Sequence, residues 1–299
     1  MKIRNIVRIF VLIAGIGLCA YPLVASLIEK SDQSKVVATY ENKMQVYEKE
    51  HLAQMLKRAE EYNECLHDAQ NTMVSNEKNG ILNSENYLKL LSFSGTSVMG
   101  VIEIPEIDVN LPIYHGTEED VLSVGVGHLE GTSLPVGGAN THCVLTGHRG
   151  LPNAKLFTRL DELEYKDLFY IKVGEKISAY SVCEIQVINP EDVSGLAIKG
   201  GKDLVSLLTC TPYGINSHRL VVTGERIEYK QIEHDSIEPQ VASKREIIFA
   251  LLPFIMIGVV ATKFTKERRE RKYANKKQND CAAASNNISS DTSYIGICK

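Results

Sequence analysis

The stretch "LVSLLTCTPYGINSHRLVVTGERIEY", residues 204–229, holds two β-prone runs separated by a proline-glycine turn. Cys210 closes the first run, immediately before "TPYG", so its thiol is expected at the rim of a sheet rather than in the middle of one. Arg219 opens the second run beside His218. Because side chains alternate along a strand, these two point to opposite faces, and at most one of them faces the thiol. A cysteine on a strand is more often a small buried hydrophobe than a nucleophile. Chemistry would require a thiolate, and therefore a cationic or acid-base neighbour.

The same grammar extends through the middle of the chain. From Met99 onward the runs "GVIEIPEI", "VNLPIYHG", "THCVLTGHRG", "LFYIKVG", "KISAYSVCEIQVINP", "LVSLLTC" and "HRLVVTGERIEY" are divided by Gly, Pro and Asn. Short strands at this spacing, with few helical interruptions, predict a mainly β domain built as an antiparallel barrel or sandwich. His148 stands at the end of "VLTGHRG", again after a β run and before a glycine turn. Strand ends carrying Cys210 and His148 can therefore meet on one rim, and an arginine there would offer a fixed fork of N–H donors to an oxyanion.

Upstream, Val37, Tyr40, Met44, Tyr47, Met55, Ala59, Tyr62 and Leu66 recur at helical spacing. They predict one amphipathic helix from Ser31 to about Leu66, capped by Ser31 or Asp32 and packing its stripe on the domain. At ~1.5 Å per residue it would be about 50 Å long. Residues 67–98 are polar and read as loop, with a short helix at Ser84–Leu91.

Two apolar segments bracket all of this, Ile9–Ile28 and Ile247–Thr262, the second reaching Phe264 if Lys263 turns to the interface. The alternatives are a cleaved signal peptide for the first and a core helix for the second. Lys2, Arg4 and Arg8 precede the first, and "KFTKERRERKYANKK" follows the second. The positive-inside rule then puts both termini in the cytoplasm and residues of about 30–245 outside, in a cell membrane crossed twice. The expected division is residues 1–28 as cytoplasmic N-terminus and signal anchor, 29–98 as external helix and lid-like segment, and 99–229 as catalytic barrel. Residues 230–246 form a linker, 247–264 a second span and 265–299 a basic cytoplasmic tail.

The chain has 299 residues, a net charge of -4 and scattered basic residues with no positive stripe, which argues against a nucleic-acid partner. Its seven cysteines include no CxxC pair, so neither a zinc ribbon nor a thioredoxin motif is supported. Cys143 and Cys183 either form a disulfide or serve as small buried hydrophobes, the second being the commoner fate. His115 and His128 read as turn or core histidines held by hydrogen bonds. Arg149 reads as a surface or loop contact, and "KERRERK" as an orientation signal that also contacts anionic lipid.

The joint pattern resembles the sortases, and within them the pilin-polymerising class C enzymes of Gram-positive bacteria. It covers "GVIEIPEIDVNLPIYHGTEEDVLSVGVGHLEGTSLPVGG", "THCVLTGHRGLPNAKLFTRLDEL" and "LLTCTPYGINSHRLVVTGERI", together with the two apolar segments. The resemblance implies an eight-stranded barrel with His148, Cys210 and Arg219 as the catalytic residues and Thr209 as a substrate-contacting residue. It also implies a thioester transpeptidation that joins an LPXTG-like sorting signal to a pilin lysine amine, with no cofactor and no metal. A family departure is that residues 68–98 contain no proline, and so no Asp-Pro-aromatic lid motif. Two other readings share the pattern: a sortase whose acceptor is a cell-wall precursor amine, and a non-catalytic membrane-tethered binding domain.

Overall fold

The computed structural model describes residues 2–71, 81–93, 97–151, 154–237 and 244–291, apart from some side chains in the terminal helices. The chain forms two units, Met1–Val241 and Ala242–Lys299. In the first, helix α1 (Lys2–Val46) passes without interruption from the apolar stretch into the polar one. Helix α2 (Lys49–Asn71) follows a break at Tyr47 and Glu48. The single helix capped at Ser31 or Asp32 is thus corrected on two points. The backbone is already helical upstream of those residues, and the stripe is shared between two helices. The stripe itself packs as expected, with Val37, Tyr40, Met44, Met55, Ala59, Tyr62 and Leu66 all buried.

Two polar groups on that stripe fix the helices to the barrel. Tyr40 buries its ring while its hydroxyl accepts from the Gly174 amide at 2.8 Å and donates to the Met99 carbonyl at 3.4 Å. Asn63 clasps the backbone of Leu134, donating to its carbonyl at 3.1 Å and accepting from its amide at 2.7 Å.

The short helix α3 (Ser84–Tyr87) is one turn, capped by Asn83, whose side chain accepts from the Asn86 amide at 2.8 Å. It stops short of the expected Leu91, which has a left-handed φ of 52°. Residues 72–80 and 94–96 of the lid-like segment lie outside the described residues.

The barrel consists of β1 (Val98–Ile104), β2 (Val109–His115), β3 (Val126–His128), β4 (Thr141–Thr146), β5 (Leu168–Val173), β6 (Lys176–Ile188), β7 (Asp203–Thr211) and β8 (His218–Ile227). A one-turn helix α4 (Glu119–Leu122) lies between β2 and β3. The strands close in the order β1-β2-β3-β4-β7-β8-β6-β5. Seven of them are the runs read from the sequence; β3 has only three residues with Gly127 at its centre, too short to show a period. The expectation of an antiparallel sheet holds for most pairs, but β2 with β3 and β4 with β7 are parallel. The second parallel pair arises because the β5–β6 hairpin is set aside on the other flank of the barrel.

The interior is filled from alternate positions: Cys143 and Leu145 of β4, Val205 and Leu207 of β7, and Leu220 and Val222 of β8. Cys143, Cys183 and Cys210 are free thiols. Cys143 behaves as the small buried hydrophobe expected, and burial pushes its thiol well above the usual range. Cys183 does not: the strand bulges between Val182 and Glu184, and the side chain is exposed there.

After β8 comes the short helix α5 (Gln231–Ser236). The second unit is dominated by one helix, α6 (Lys244–Asp291). Among the described residues no helix is long and apolar enough to cross a membrane. Several side chains of both apolar segments, Ile9 and Leu12 in the first and Leu251 and Leu252 in the second, lie outside those residues.

Candidate active site

Strand β7 lies between β4 and β8, and the registers decide which side chains share a face. Across β7 and β8, Cys210 pairs with Arg219 and Thr211 with His218. Directly opposed residues of an antiparallel pair project to the same side, so Arg219 stands beside the thiol and His218 on the other face. Across the parallel pair, Thr146 aligns with Leu208. The Gly147 amide then donates to the Leu208 carbonyl at 3.1 Å, carrying the alignment past the last paired residues. Two positions further on, His148 falls beside Cys210. Since Gly147, Thr209 and Leu220 continue the inward-facing set, His148, Cys210 and Arg219 form one row on the outer face, at strand spacings of about 4.8 Å.

Glycine is required on both sides of His148. A Cβ at Gly147 would lie 2.7 Å from the ring of Phe157. Gly150 has φ +86°, and a Cβ there would lie 3.1 Å from the ring of Tyr213. The two rings thereby hold the turn that presents the histidine.

Each member of the row is half-buried and has a defined environment. His148 Nε2 lies 3.2 and 3.3 Å from the carboxylate oxygens of Glu119, on α4. A carboxylate only accepts, so Nε2 carries the hydrogen and Nδ1 is left with no partner among the described residues. Arg219 donates through Nη1 to the carbonyls of Asn216, at 3.2 Å, and His218, at 3.1 Å. Its other guanidinium nitrogens have no protein partner among the described residues. Cys210 makes no hydrogen bond to either neighbour among those residues, a spacing that leaves room for a substrate carbonyl.

Thr209 has a different setting from the one expected. It is 1% exposed, and its hydroxyl donates to the Gly147 carbonyl at 2.7 Å. The side chain is closed off from solvent and ties the cysteine strand to the turn before His148.

Further along the same strands lies a second, buried row. His142 Nε2 is 2.8 Å from Ser206 Oγ, which is 2.7 Å from Thr223 Oγ1. His142 Nδ1 is 2.9 Å from the Ala197 carbonyl, so it donates there and Nε2 accepts from the serine. Burial lowers the pKa of His142, keeping it neutral. The bond ties the β6–β7 connection to the outer face at Ala197; Val193 on that connection is exposed, as are Tyr213 and Ile215 of the β7–β8 turn. Among the described residues no group of three His, Cys, Asp or Glu side chains is placed to hold a metal ion.

The histidines read as structural have those surroundings. The ring of Tyr87 packs against both His115 and His128, with centroids at 5.1 and 5.6 Å. His115 Nε2 meets the Leu90 carbonyl at 2.7 Å. His128 is fully buried between Tyr87 Oη at 3.0 Å and the Ser133 carbonyl at 2.9 Å. Arg149, expected on the surface, is instead buried and paired with Asp161 at 2.8 Å. Neither that burial nor the Glu119 contact had a signal in the sequence beyond adjacency to "TGHRG".

Residues 102–227, which include the whole row, match the sortase domain model. Sortase C1 from Streptococcus agalactiae shares 37% identity and a TM-score of 0.60, over 66% of this chain and all of that one. The chain belongs to the sortase family of cysteine transpeptidases. A Clostridium perfringens sortase C, solved with the C-terminal cell wall sorting motif, shares 42% identity and a TM-score of 0.57, covering 66% of this sortase and 100% of that chain. Sortase D of Bacillus subtilis is 31% identical over 131 residues, 43% of this chain and 63% of that protein. The sortase therefore spans slightly under two thirds of that curated relative.

Proposed function

We propose that this sortase is a membrane-anchored, pilin-polymerising transpeptidase of the class C type. The observation that carries the reading is the single outward row of His148, Cys210 and Arg219 on three adjacent strands, in a chain whose structural neighbours are class C enzymes. In the reaction, the Cys210 thiol passes its proton to Nδ1 of His148, and the resulting thiolate attacks the threonine carbonyl carbon of an LPXTG-like sorting signal. Arg219 donates to the oxyanion through the nitrogens that the turn carbonyls leave open. As the Thr–Gly C–N bond breaks, His148 delivers the Nδ1 proton to the departing glycine amine. The product is an acyl thioester on Cys210, which retains its acyl energy for an amine. A lysine amine of another pilin then attacks it, His148 takes up the proton, and an isopeptide bond forms as the thiolate leaves. Val193, Tyr213 and Ile215, exposed apolar side chains on the connections that flank β7, suit an extended peptide with apolar residues at its start.

Membrane anchorage is part of the same proposal. It is supported by the two apolar segments with basic flanks. It is also supported by Phe10, Leu18 and Leu27 on α1 and Phe254 and Ile255 on α6, each largely exposed and in need of an apolar surrounding. Both termini then lie in the cytoplasm and the barrel outside, where sorting signals are met.

The test incubates the protein with a pilin carrying an LPXTG-like signal and examines denaturing gels. A ladder of covalent multimers is expected with the native sequence and none with Cys210→Ala. His148→Ala and Arg219→Ala are expected to slow the reaction by at least about 100-fold, with unfolding midpoints close to that of the parent. Single attachment to a cell-wall precursor amine without a ladder would overturn the polymerase reading. A product that survives Cys210→Ala would overturn the enzyme reading altogether.

A further inference from the structure

Behind the outward row, the same registers bring together a second set of groups. One residue beyond His148 and Cys210, the alternation turns Arg149 and Thr211 to the opposite face, and Arg149 Nη1 donates to Thr211 Oγ1 at 3.0 Å. Arg149 is 8% exposed, its Nη2 is paired with Asp161 at 2.8 Å, and its Nε has no hydrogen-bond partner. Asp161 belongs to the short helical turn Leu160–Glu162, well removed in sequence from either strand end. One residue before the pair, the Thr209 hydroxyl holds the Gly147 carbonyl at 2.7 Å. The reacting pair is thus bracketed on its hidden side by two cross-strand bonds, one before it and one after it.

The two bonds differ in kind. Thr209 with Gly147 lies where the backbone pairing still reaches, since the Gly147 amide binds the Leu208 carbonyl. Past that point no main-chain bond joins the strand ends among the described residues, and the Arg149 side chain takes over the connection. A buried guanidinium that gives one arm to a threonine and another to a carboxylate costs desolvation, and leaving Nε unpaired adds to that cost. Simple packing would be served better by an apolar side chain at this place.

We propose that Arg149 is a positioning residue, a clamp that sets the separation of His148 and Cys210 through Thr211. Asp161 fixes the orientation of the guanidinium, and the planar fork makes the distance between strand ends stiff. The clamp rests on the reading of Cys210 and His148 as the reacting pair. The thiol hands its proton to the imidazole only while the two stay close, so loosening the clamp slows attack without removing either reacting group.

Removing Arg149 outright takes away a buried side chain together with both of its bonds, so Arg149→Ala risks failing to fold. The decisive variant is Thr211→Val, nearly the same shape without the hydroxyl, with Thr211→Ser as the rescue. The full-length protein in detergent is alkylated with iodoacetamide at pH 7 while unfolding is followed separately. Alkylation of Cys210 is expected to slow by about 3- to 10-fold in Thr211→Val. Near-parental rates are expected in Thr211→Ser, with the unfolding midpoint of both variants little changed. On a sorting-signal peptide, Thr211→Val is expected to lower kcat and leave KM nearly unchanged. Parental alkylation and kcat in Thr211→Val overturn the clamp. If the parent itself forms no acyl adduct on the peptide, the transpeptidase reading fails instead, and the alkylation comparison still reports on the clamp.

Discussion

At the scale of single residues, exposure separates the partners of His148. Glu119 touches the imidazole yet is 81% exposed, so water replaces it at small cost. Glu119→Ala is therefore expected to change kcat/KM on a sorting-signal peptide by less than about fivefold. A larger loss would mean that the carboxylate holds the imidazole tautomer and acts as a third member of the site. The proposed trio was legible in the sequence less from strand-end placement alone than from the motifs "TGHRG", "TCTPYG" and "HRL" taken together. The residues that hold the trio were not. Arg149 looks identical to a solvated arginine until the register turns it inward, and Thr209 looks available until the Gly147 carbonyl claims its hydroxyl.

At the scale of elements, the two N-terminal helices and the barrel depend on a few polar clasps within an apolar seam. Asn63 is the clearest case, because its amide satisfies both polar groups of Leu134 across 71 positions of chain. Asn63→Leu retains bulk but strands a buried amide and a carbonyl, and is expected to cost about 2–4 kcal/mol in urea unfolding. Glu64→Ala, on the exposed side, is expected to change stability by less than about 0.5 kcal/mol. A parental midpoint for Asn63→Leu would show that water reaches Leu134. Helical periodicity made the seam readable, since the same residues are buried as the stripe predicts. The break between α1 and α2 was not readable, because the spacing of three and four continues across Tyr47 and no proline marks the place. Strand β3 escaped for a different reason: three residues are too few for alternation to register.

At the scale of the whole molecule, two buried histidines and one half-buried one make folding sensitive to acid. Burial holds His128 at about 4, against 6.5 for an ordinary imidazole, and lowers His115 and His142 in the same direction. The unfolded chain takes up a proton on His128 as the pH falls through about 6.5, whereas the native chain waits until about 4. Stability is therefore full above the first value and is lost between the two, by about 3 kcal/mol for His128 alone. The urea midpoint is expected to fall between pH 7 and 4.5, and the fall to be shallower in His128→Gln. A midpoint that does not move over this range would mean that His128 is already charged, or solvated, in the native protein.

The closed barrel also imposes an order of events on the chain. His148 and Cys210 sit on neighbouring strands that the β5–β6 hairpin separates in sequence, so they meet only where β7 docks against β4. Until β7 docks against β4, the thiol of Cys210 stands apart from the imidazole of His148. On the proposed chemistry the pair is a property of the closed barrel, and neither strand end carries it alone.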